Sequence, residues 1–252
     1  SLQSSGTLDL GSSDIRVDGV GGSFNKGLRI VSTGSDVDLG SSQLVFNDVV
    51  TSSGSSLNQI TAAGDILTTG VADWQVGGRV DFLANGAIDL DGFSLDNPSV
   101  GGTGIGPSRF RTTNGGLSLK NGGINTGLDF TTVDTLGLIF ESGGATNLSE
   151  FDINLDNGNT LSLTSAGSVT MDGADINRNP PPGGTGDISI FSQAGLSLGT
   201  GSIRSDRDND LMASGVLDLG TKELFTPRVL SLSSNTEVRS SAGSFQARDI
   251  EI

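Results

Sequence analysis

The sequence predicts an all-β protein that folds as a parallel β-helix, in which short strands wind into coils that stack on one another. One short phrase returns along all 252 residues: an apolar residue, any residue and a second apolar residue, usually just after glycine and before small turn residues. The alternation lasts only three to five residues before Gly, Ser, Asn or Asp interrupts it, which is typical of short strands and argues against helices.

The phrase returns at a spacing that is typical of stacked repeats. Clear copies begin at Leu8, Val37, Ile88, Leu117, Val169, Leu196 and Leu217, and weaker copies begin at Ile66, Leu138 and Phe245. Further apolar triplets lie between the copies, so each period contains two or three strands. We therefore expect a β-solenoid of about ten coils of roughly 21–31 residues, with a length on the order of 48 Å at ~4.8 Å per coil.

Stacking is what makes such short strands stable. It aligns the inward Leu, Ile and Val side chains in columns and leaves the intervening residues facing water. A β-sandwich or antiparallel barrel is the alternative, but its strands would be longer. Neither would have a reason to repeat Leu-Asp-Leu-Gly at Leu8 and Leu217, 209 residues apart.

Trp74 lies inside a repeat, and we expect it to fill the core rather than to stack on a sugar ring.

Composition narrows the classes of function. The chain has no His and no Cys, which removes an imidazole base, a thiol nucleophile, a disulfide and an ordinary zinc site. A net charge of −15 disfavours nucleic acid and anionic membranes as partners. No apolar run approaches the ~20 residues that cross a bilayer, so we expect no membrane insertion.

Two segments interrupt the rhythm and share the pattern Asn-Pro-x-x-Gly-Gly-Thr-Gly. They begin 82 residues apart, at Asn97 and Asn179, an offset of three coils, so we expect both to leave the same corner of the rod. Repeat proteins often collect insertions on a binding face, although a tolerated insertion without function is the simpler interpretation. The candidate binding residues are Asn97, Pro98, Gly101, Gly102 and Thr103 in the first segment and Asn179, Pro180, Gly183, Gly184 and Thr185 in the second.

Asp206, Asp208 and Asp210 alternate like the carboxylates that open a calcium loop. The rest of an EF-hand is missing, because Leu211 and Leu217 stand where the motif requires Gly and Glu. The pattern therefore favours a solvated acidic turn over a calcium site. The sequence indicates no other cofactor.

The repeated phrases Ala63–Ile66, Ala166–Met171 and Gln193–Leu198 resemble the filamentous-haemagglutinin-like adhesins, the large exoproteins of two-partner secretion. The resemblance covers nearly the whole chain. It implies a right-handed β-helix that passes through a dedicated outer-membrane transporter to the outer surface of a Gram-negative bacterium. The absence of Cys suits export as an unfolded chain. Asn97-Pro98-Ser99 and Asn179-Pro180-Pro181 depart from the family's Asn-Pro-Asn-Gly secretion signature, which implies a position in the central shaft.

The two ends of the sequence both look like the interior of a repeat. Ser1 opens within the phrase, and Ile250-Glu251-Ile252 reads as a strand. Because a complete solenoid needs caps over its terminal coils, we expect residues 1–252 to be a single solenoid segment of a much larger repeat protein.

The leading functional hypothesis is a non-catalytic extracellular adhesin or structural shaft. Such a spacer holds a binding or effector tip away from the bacterial surface and meets a receptor or glycan on a host or neighbouring cell. The alternative is a polysaccharide lyase or tailspike-like hydrolase, because such enzymes also use right-handed β-helices. The even repeats argue against an enzyme, as does the lack of a long loop with clustered Asp, Arg and Lys.

Overall fold

A computed structural model describes residues 1–18, 27–47, 57–76, 79–96, 107–126, 137–156, 160–179, 186–205 and 207–252. Over these residues the chain forms only strands, turns and bends. The strands make three sheets of eleven, ten and ten members, and each strand pairs in parallel with its counterpart one winding earlier or later. The predicted all-β parallel solenoid is confirmed.

The first sheet contains β1 (Leu2–Ser4), β4 (Arg29–Ser32), β7 (Leu57–Ala62), β10 (Arg79–Ala84), β13 (Ser108–Thr112), β16 (Leu138–Ser142), β19 (Leu161–Ser165), β22 (Ile188–Ser192), β25 (Asn209–Ala213), β28 (Val229–Ser234) and β31 (Asp249–Glu251). The second sheet contains β2 (Leu8–Asp9), β5 (Val37–Asp38), β8 (Ile66–Leu67), β11 (Ile88–Asp91), β14 (Leu117–Lys120), β17 (Thr146–Asn147), β20 (Val169–Thr170), β23 (Leu196–Ser197), β26 (Val216–Asp218) and β29 (Glu237–Arg239). The third sheet contains β3 (Asp14–Asp18), β6 (Gln43–Asn47), β9 (Asp73–Val76), β12 (Ser94–Asp96), β15 (Gly122–Thr126), β18 (Phe151–Asp156), β21 (Ile176–Asn179), β24 (Ser202–Arg204), β27 (Glu223–Phe225) and β30 (Ser244–Gln246).

Three consecutive strands, one from each sheet, make one coil. Coil 1 consists of β1 to β3, coil 10 consists of β28 to β30, and β31 begins an eleventh. Along the second sheet, aligned residues are 29 positions apart between Leu8 and Val37 and 21 positions apart between Leu196 and Leu217. The coil number and coil length therefore agree with the expectation from sequence.

Eight of the ten predicted copies of the phrase lie in the second sheet, and the other two do not. Leu138 belongs to the first sheet and Phe245 to the third, whereas Thr146 and Val238 occupy the aligned positions of the second sheet. The reason is chemical. Thr146 replaces the first apolar residue of its coil and Val238 is the only apolar member of β29, so a neighbouring triplet matches the phrase better.

The core is one continuous cluster of inward side chains that extends from Leu10 to Leu232. In coils 3 to 6 it contains an aromatic stack in which the rings of Phe82 and Phe110 lie 4.7 Å apart and 7° from parallel. Trp74 is fully buried against this stack, and its indole N–H donates a 3.1 Å hydrogen bond to Ser42 Oγ. The prediction that Trp74 fills the core is confirmed.

The turn after the second sheet explains why the phrase reads Leu-Asp-Leu-Gly. In coil 2 Val37 and Leu39 point inward. The outward Asp38 between them accepts a 2.7 Å hydrogen bond from the N–H of Gly40. Gly40 has a φ of +59°, the left-handed region that glycine enters without a steric penalty. The same pairing of an outward carboxylate with a left-handed glycine occurs at Asp9 with Gly11 and at Asp218 with Gly220.

Candidate functional site

The two segments predicted as binding loops connect the same pair of sheets. In chain order, 97–107 separates β12 from β13, and 180–187 separates β21 from β22. Strands β12 and β21 lie three coils apart in the third sheet, which agrees with the offset read from the sequence. The loop residues from Asn97 to Thr103 and from Pro180 to Thr185 lie outside the described residues, and Asn179 is the last residue of β21. Their role in binding stays a prediction.

The acidic triplet is described only in part, since Asp206 lies outside the described residues. Asp208 Oδ1 accepts a 3.0 Å hydrogen bond from the N–H of Val229, so this carboxylate supports the next coil. Partial burial raises the pKa of Asp210, and the nearby charges of Asp208, Asp187 and Glu251 raise it further. Within the described ranges, no three His, Cys, Asp or Glu side chains are grouped to hold a metal ion. The calcium interpretation stays a prediction.

Other carboxylates brace the corner between the first and second sheets. Asp36 Oδ1 accepts a 2.8 Å hydrogen bond from the N–H of Asp65 in the next coil, and Asp65 Oδ1 accepts a 2.7 Å bond from the N–H of Ala87. A side chain at Gly64 or Gly86 would collide with these carboxylates, because its Cβ would lie 2.0 Å from Oδ1. These acids are therefore engaged in holding one coil on another.

The interior holds one fully buried cation among the described residues, Lys222. Its ammonium group donates hydrogen bonds to the backbone carbonyls of Met171 (2.9 Å), Ala174 (2.6 Å) and Thr200. Burial lowers the pKa of Lys222 to about 8, against the opposing effect of the carboxylates of Asp175, Asp172 and Asp152. Three carbonyl acceptors satisfy the three donors of an ammonium ion, so the side chain links coil 9 to coils 7 and 8.

An exposed carboxylate, Asp172, lies near this buried cation. Asp172 Oδ1 accepts hydrogen bonds of 3.0 Å from both the backbone N–H and the hydroxyl of Thr200. These bonds, first the backbone one, lower the pKa of Asp172, and the charge of Lys222 acts in the same direction. The two charged groups thus favour each other's ionised forms across coils 7 to 9.

The outward face of the third sheet carries a ladder of amides and carboxylates. Asn125 Nδ2 donates a 2.7 Å hydrogen bond to Asp96 Oδ1, and Asn154 Nδ2 donates a 2.6 Å bond to Asn125 Oδ1. The strand register continues this column in both directions. From coil 3 to coil 10 its members are Gln75, Asp96, Asn125, Asn154, Asn177, Arg204, Phe225 and Gln246. We call this set the outer column.

A shallow cavity of about 390 Å³ lies at the end of the outer column. Phe225 forms part of its lining and is 43% exposed, whereas the preceding Leu224 points into the core. Arg204 and Glu223 form an ion pair of 3.2 Å beside the ring. Ser244 and Gln246 of the next coil complete the polar part of the lining.

Neither Lys222 nor Phe225 is marked as a functional residue by the sequence pattern. Lys222 stands in a turn, where a lysine is ordinarily solvated, and no local pattern marks it as buried. Leu224 and Phe225 are adjacent and both apolar, so only the register with β24 shows which of them faces out. In the structure Gly201 precedes β24 as Lys222 precedes β27, and glycine there leaves room for a long inward side chain.

Comparison with known proteins identifies no relative: no family model, no curated protein and no solved structure matches the chain significantly. In the part of the chain that the structure describes, no helix is long and apolar enough to cross a membrane. Function is therefore inferred from the geometry of the coils and of the outer column.

Proposed function

We propose that the chain is a non-catalytic extracellular spacer, the shaft of an adhesin or of a related surface protein. The observation that carries the proposal is the continuous ladder of three parallel sheets from β1 to β31 around one core. Each coil bonds through its backbone to the coils on either side, so the rod resists bending and extends by ~4.8 Å per coil. A stiff rod of this kind suits the task of holding another domain away from a surface.

The use of the carboxylates supports a structural role. Asp36, Asp38 and Asp65 each accept a hydrogen bond from a backbone N–H in a turn. A carboxylate that serves as general acid or base must instead reach the substrate atom whose proton it transfers. Asp36 and Asp65 are thus engaged with the next coil, and Asp38 is engaged with its own turn.

The cellular setting is part of the proposal and rests on the sequence. The absence of Cys and the repeat phrases support secretion by a two-partner outer-membrane transporter to the surface of a Gram-negative bacterium. The test joins this chain to a two-partner secretion domain and expresses it with the matching transporter. We expect protease added to intact cells to degrade it, and full protection in cells that secrete the unfused secretion domain would argue against this route.

The experiment that tests the non-catalytic role is incubation of the purified chain with labelled acidic and neutral polysaccharides, followed by size-exclusion chromatography. We expect the polymers to keep their length. Shortened polymers would replace the spacer by the alternative from the sequence, a polysaccharide lyase or hydrolase, and would direct attention to carboxylate pairs on one outward face.

A second measurement tests the spacer geometry itself. Small-angle X-ray scattering should report a rod whose cross-section stays constant and whose length is on the order of 48 Å for ten coils. A compact particle, or a flexible chain with no constant cross-section, would contradict a stiff spacer.

A further inference from the structure

We propose that the cavity at Phe225 is a binding subsite for a neutral, linear oligosaccharide, with the outer column as its continuation along the rod. The inference goes beyond the proposed function, because a spacer keeps its mechanical role whether or not it binds a glycan.

The first step is the position of the Phe225 ring. Phe225 lies on an outward position of β27, and its register neighbours in the outer column are Arg204 and Gln246. A single exposed aromatic residue is ordinary on a protein surface. The Phe225 ring lies in a concavity whose other lining residues are Leu224 and the polar side chains of Arg204, Glu223, Ser244 and Gln246. An apolar face with a polar border matches a pyranose ring, whose C–H groups stack on an aromatic face while its hydroxyls point outward.

The second step is the polar border. The guanidinium of Arg204 and the carboxylate of Glu223 pair at 3.2 Å, and both side chains are more than half exposed. Gln246 and Ser244 add an amide and a hydroxyl. Donors and acceptors are thus available on two sides of the ring, as vicinal hydroxyls require. The volume of about 390 Å³ falls at the small end of ligand pockets, which occupy roughly 300–1,000 Å³.

The charge of the subsite bears on the kind of glycan that it can bind. The positive charge of Arg204 is compensated by Glu223, so the subsite has no net cation to attract an acidic polymer. The chain as a whole carries a net charge of −15 and repels polyanions. A neutral glycan is therefore favoured over a uronic acid polymer or a sulfated glycan.

The fourth step is the continuation along the rod. Beyond Arg204 the outer column consists of amide and carboxylate side chains, including Asn177, Asn154 and Asn125. Strand spacing places them about 4.8 Å apart, which is close to the length that one sugar unit adds to an extended glycan. An oligosaccharide that stacks on Phe225 can therefore run parallel to the rod axis and meet one polar side chain for each sugar unit.

The test is isothermal titration of the purified chain with four neutral hexasaccharides, built of β-1,4-glucose, β-1,3-glucose, β-1,4-mannose and β-1,4-xylose. We expect at least one to bind the wild type and Phe225→Ala to weaken that binding by at least tenfold, whereas Phe225→Trp should preserve it. Met212→Ala is the matched control, because Met212 has a similar exposure of 37% but lies on the outward face of the first sheet.

Two results overturn the subsite. One is that no hexasaccharide binds the wild type, and the other is that Met212→Ala weakens binding as much as Phe225→Ala. If Phe225→Ala does not fold, as judged by circular dichroism, saturation-transfer NMR on the wild type decides: transfer from aromatic protons to the sugar is expected, and its absence overturns the proposal. These outcomes leave the spacer proposal intact, since that proposal is tested by the length of the incubated polymers and by the shape of the rod, and not by glycan binding.

Discussion

The ammonium group of Lys222 donates a 2.6 Å hydrogen bond to the carbonyl oxygen of Ala174, which lies two coils away. The side chain passes the aligned position of the intermediate coil, where Gly201 has no side chain to obstruct it. A Cβ at Gly201 would lie 2.4 Å from the same carbonyl oxygen. Glycine below and lysine above are thus two parts of one arrangement that ties three coils together.

The first prediction concerns stability in alkaline solution. Burial lowers the pKa of Lys222 from 10.5 to about 8 in the folded chain. Between these values the unfolded chain binds more protons than the folded chain, so the free energy of unfolding should rise with pH across this window. Below pH 8 both states carry the charge, and folding bears the full cost of burying it. The whole effect amounts to roughly 3 kcal/mol.

The composition of the chain allows the titration of Lys222 to be separated from that of other side chains. The chain has no Tyr, Cys or His to titrate in the same range. Chemical unfolding of wild type and Lys222→Met at pH 8 and pH 10.5 isolates the effect, since the other lysines are common to both proteins. We expect the wild type to gain stability relative to the variant as the pH rises. A constant difference between the two proteins would show that the folded-state pKa is not lowered.

The second prediction uses two glycines at the same position of successive coils. Gly11 and Gly40 have φ values of +55° and +59°, so alanine is strained at either site, at about 1–2 kcal/mol. Their surroundings differ. A Cβ at Gly40 would lie 2.0 Å from the carbonyl oxygen of Gly11, whereas a Cβ at Gly11 meets nothing closer than 4.0 Å. Gly40→Ala should therefore lower the unfolding midpoint clearly more than Gly11→Ala, and equal losses would mean that coil stacking there can relax.

Much of the fold could be predicted from sequence because the inward positions of the repeat are recognisable from their residue types. Leu8 and Leu10 alternate with Asp9, and Gly11 marks the left-handed turn, so period and punctuation indicate the same strand and corner. The alternation of apolar residues fails as a signal where an inward position holds a residue that is not apolar. Thr146 lies in an inward column and is nearly fully buried, with only 2% of its surface exposed. The residues aligned with it in the coils above and below supply the apolar contacts.

The candidate site could not be predicted in the same way, because it lies on the outward half of the repeat. Side chains there need only be compatible with water, so their types carry little information on structure. Arg204, Glu223 and Phe225 come from two coils and meet only through the register of β24 with β27. A shift of one residue in that register would turn Phe225 inward and Leu224 outward.

The third prediction compares a buried phenylalanine with an exposed one. Phe110 is fully buried between Phe82 and Phe140, so Phe110→Ala opens a cavity in the aromatic stack and should cost about 3–5 kcal/mol. Phe225→Ala removes a ring that is 43% exposed and should change stability by less than about 1 kcal/mol. Urea unfolding followed by circular dichroism measures both. Comparable losses would indicate that the Phe225 ring packs more closely than its exposure suggests.

The fourth prediction concerns Asp210, near the start of β25 in coil 9. The pKa of Asp210 is raised in the folded chain, first by burial and then by Asp208, Asp187 and Glu251. The folded chain therefore binds more protons than the unfolded chain as the pH rises above 3.8, so ionised Asp210 destabilises the fold at neutral pH. Asp210→Asn should raise the unfolding midpoint at neutral pH and lose this advantage below pH 3.8. Asp208→Asn is the control, and it should gain less, because Asp208 supports the N–H of Val229.

The same variants distinguish a solvated acidic turn from a calcium site. A bound calcium ion would neutralise the repulsion around Asp210, so millimolar calcium chloride would stabilise the wild type, and Asp210→Asn would abolish the effect. We expect the wild-type midpoint to be the same in calcium chloride as in magnesium chloride at equal ionic strength, because Asp208 is already engaged with Val229. A calcium-specific rise that disappears in Asp210→Asn would instead show that Asp210 binds the ion.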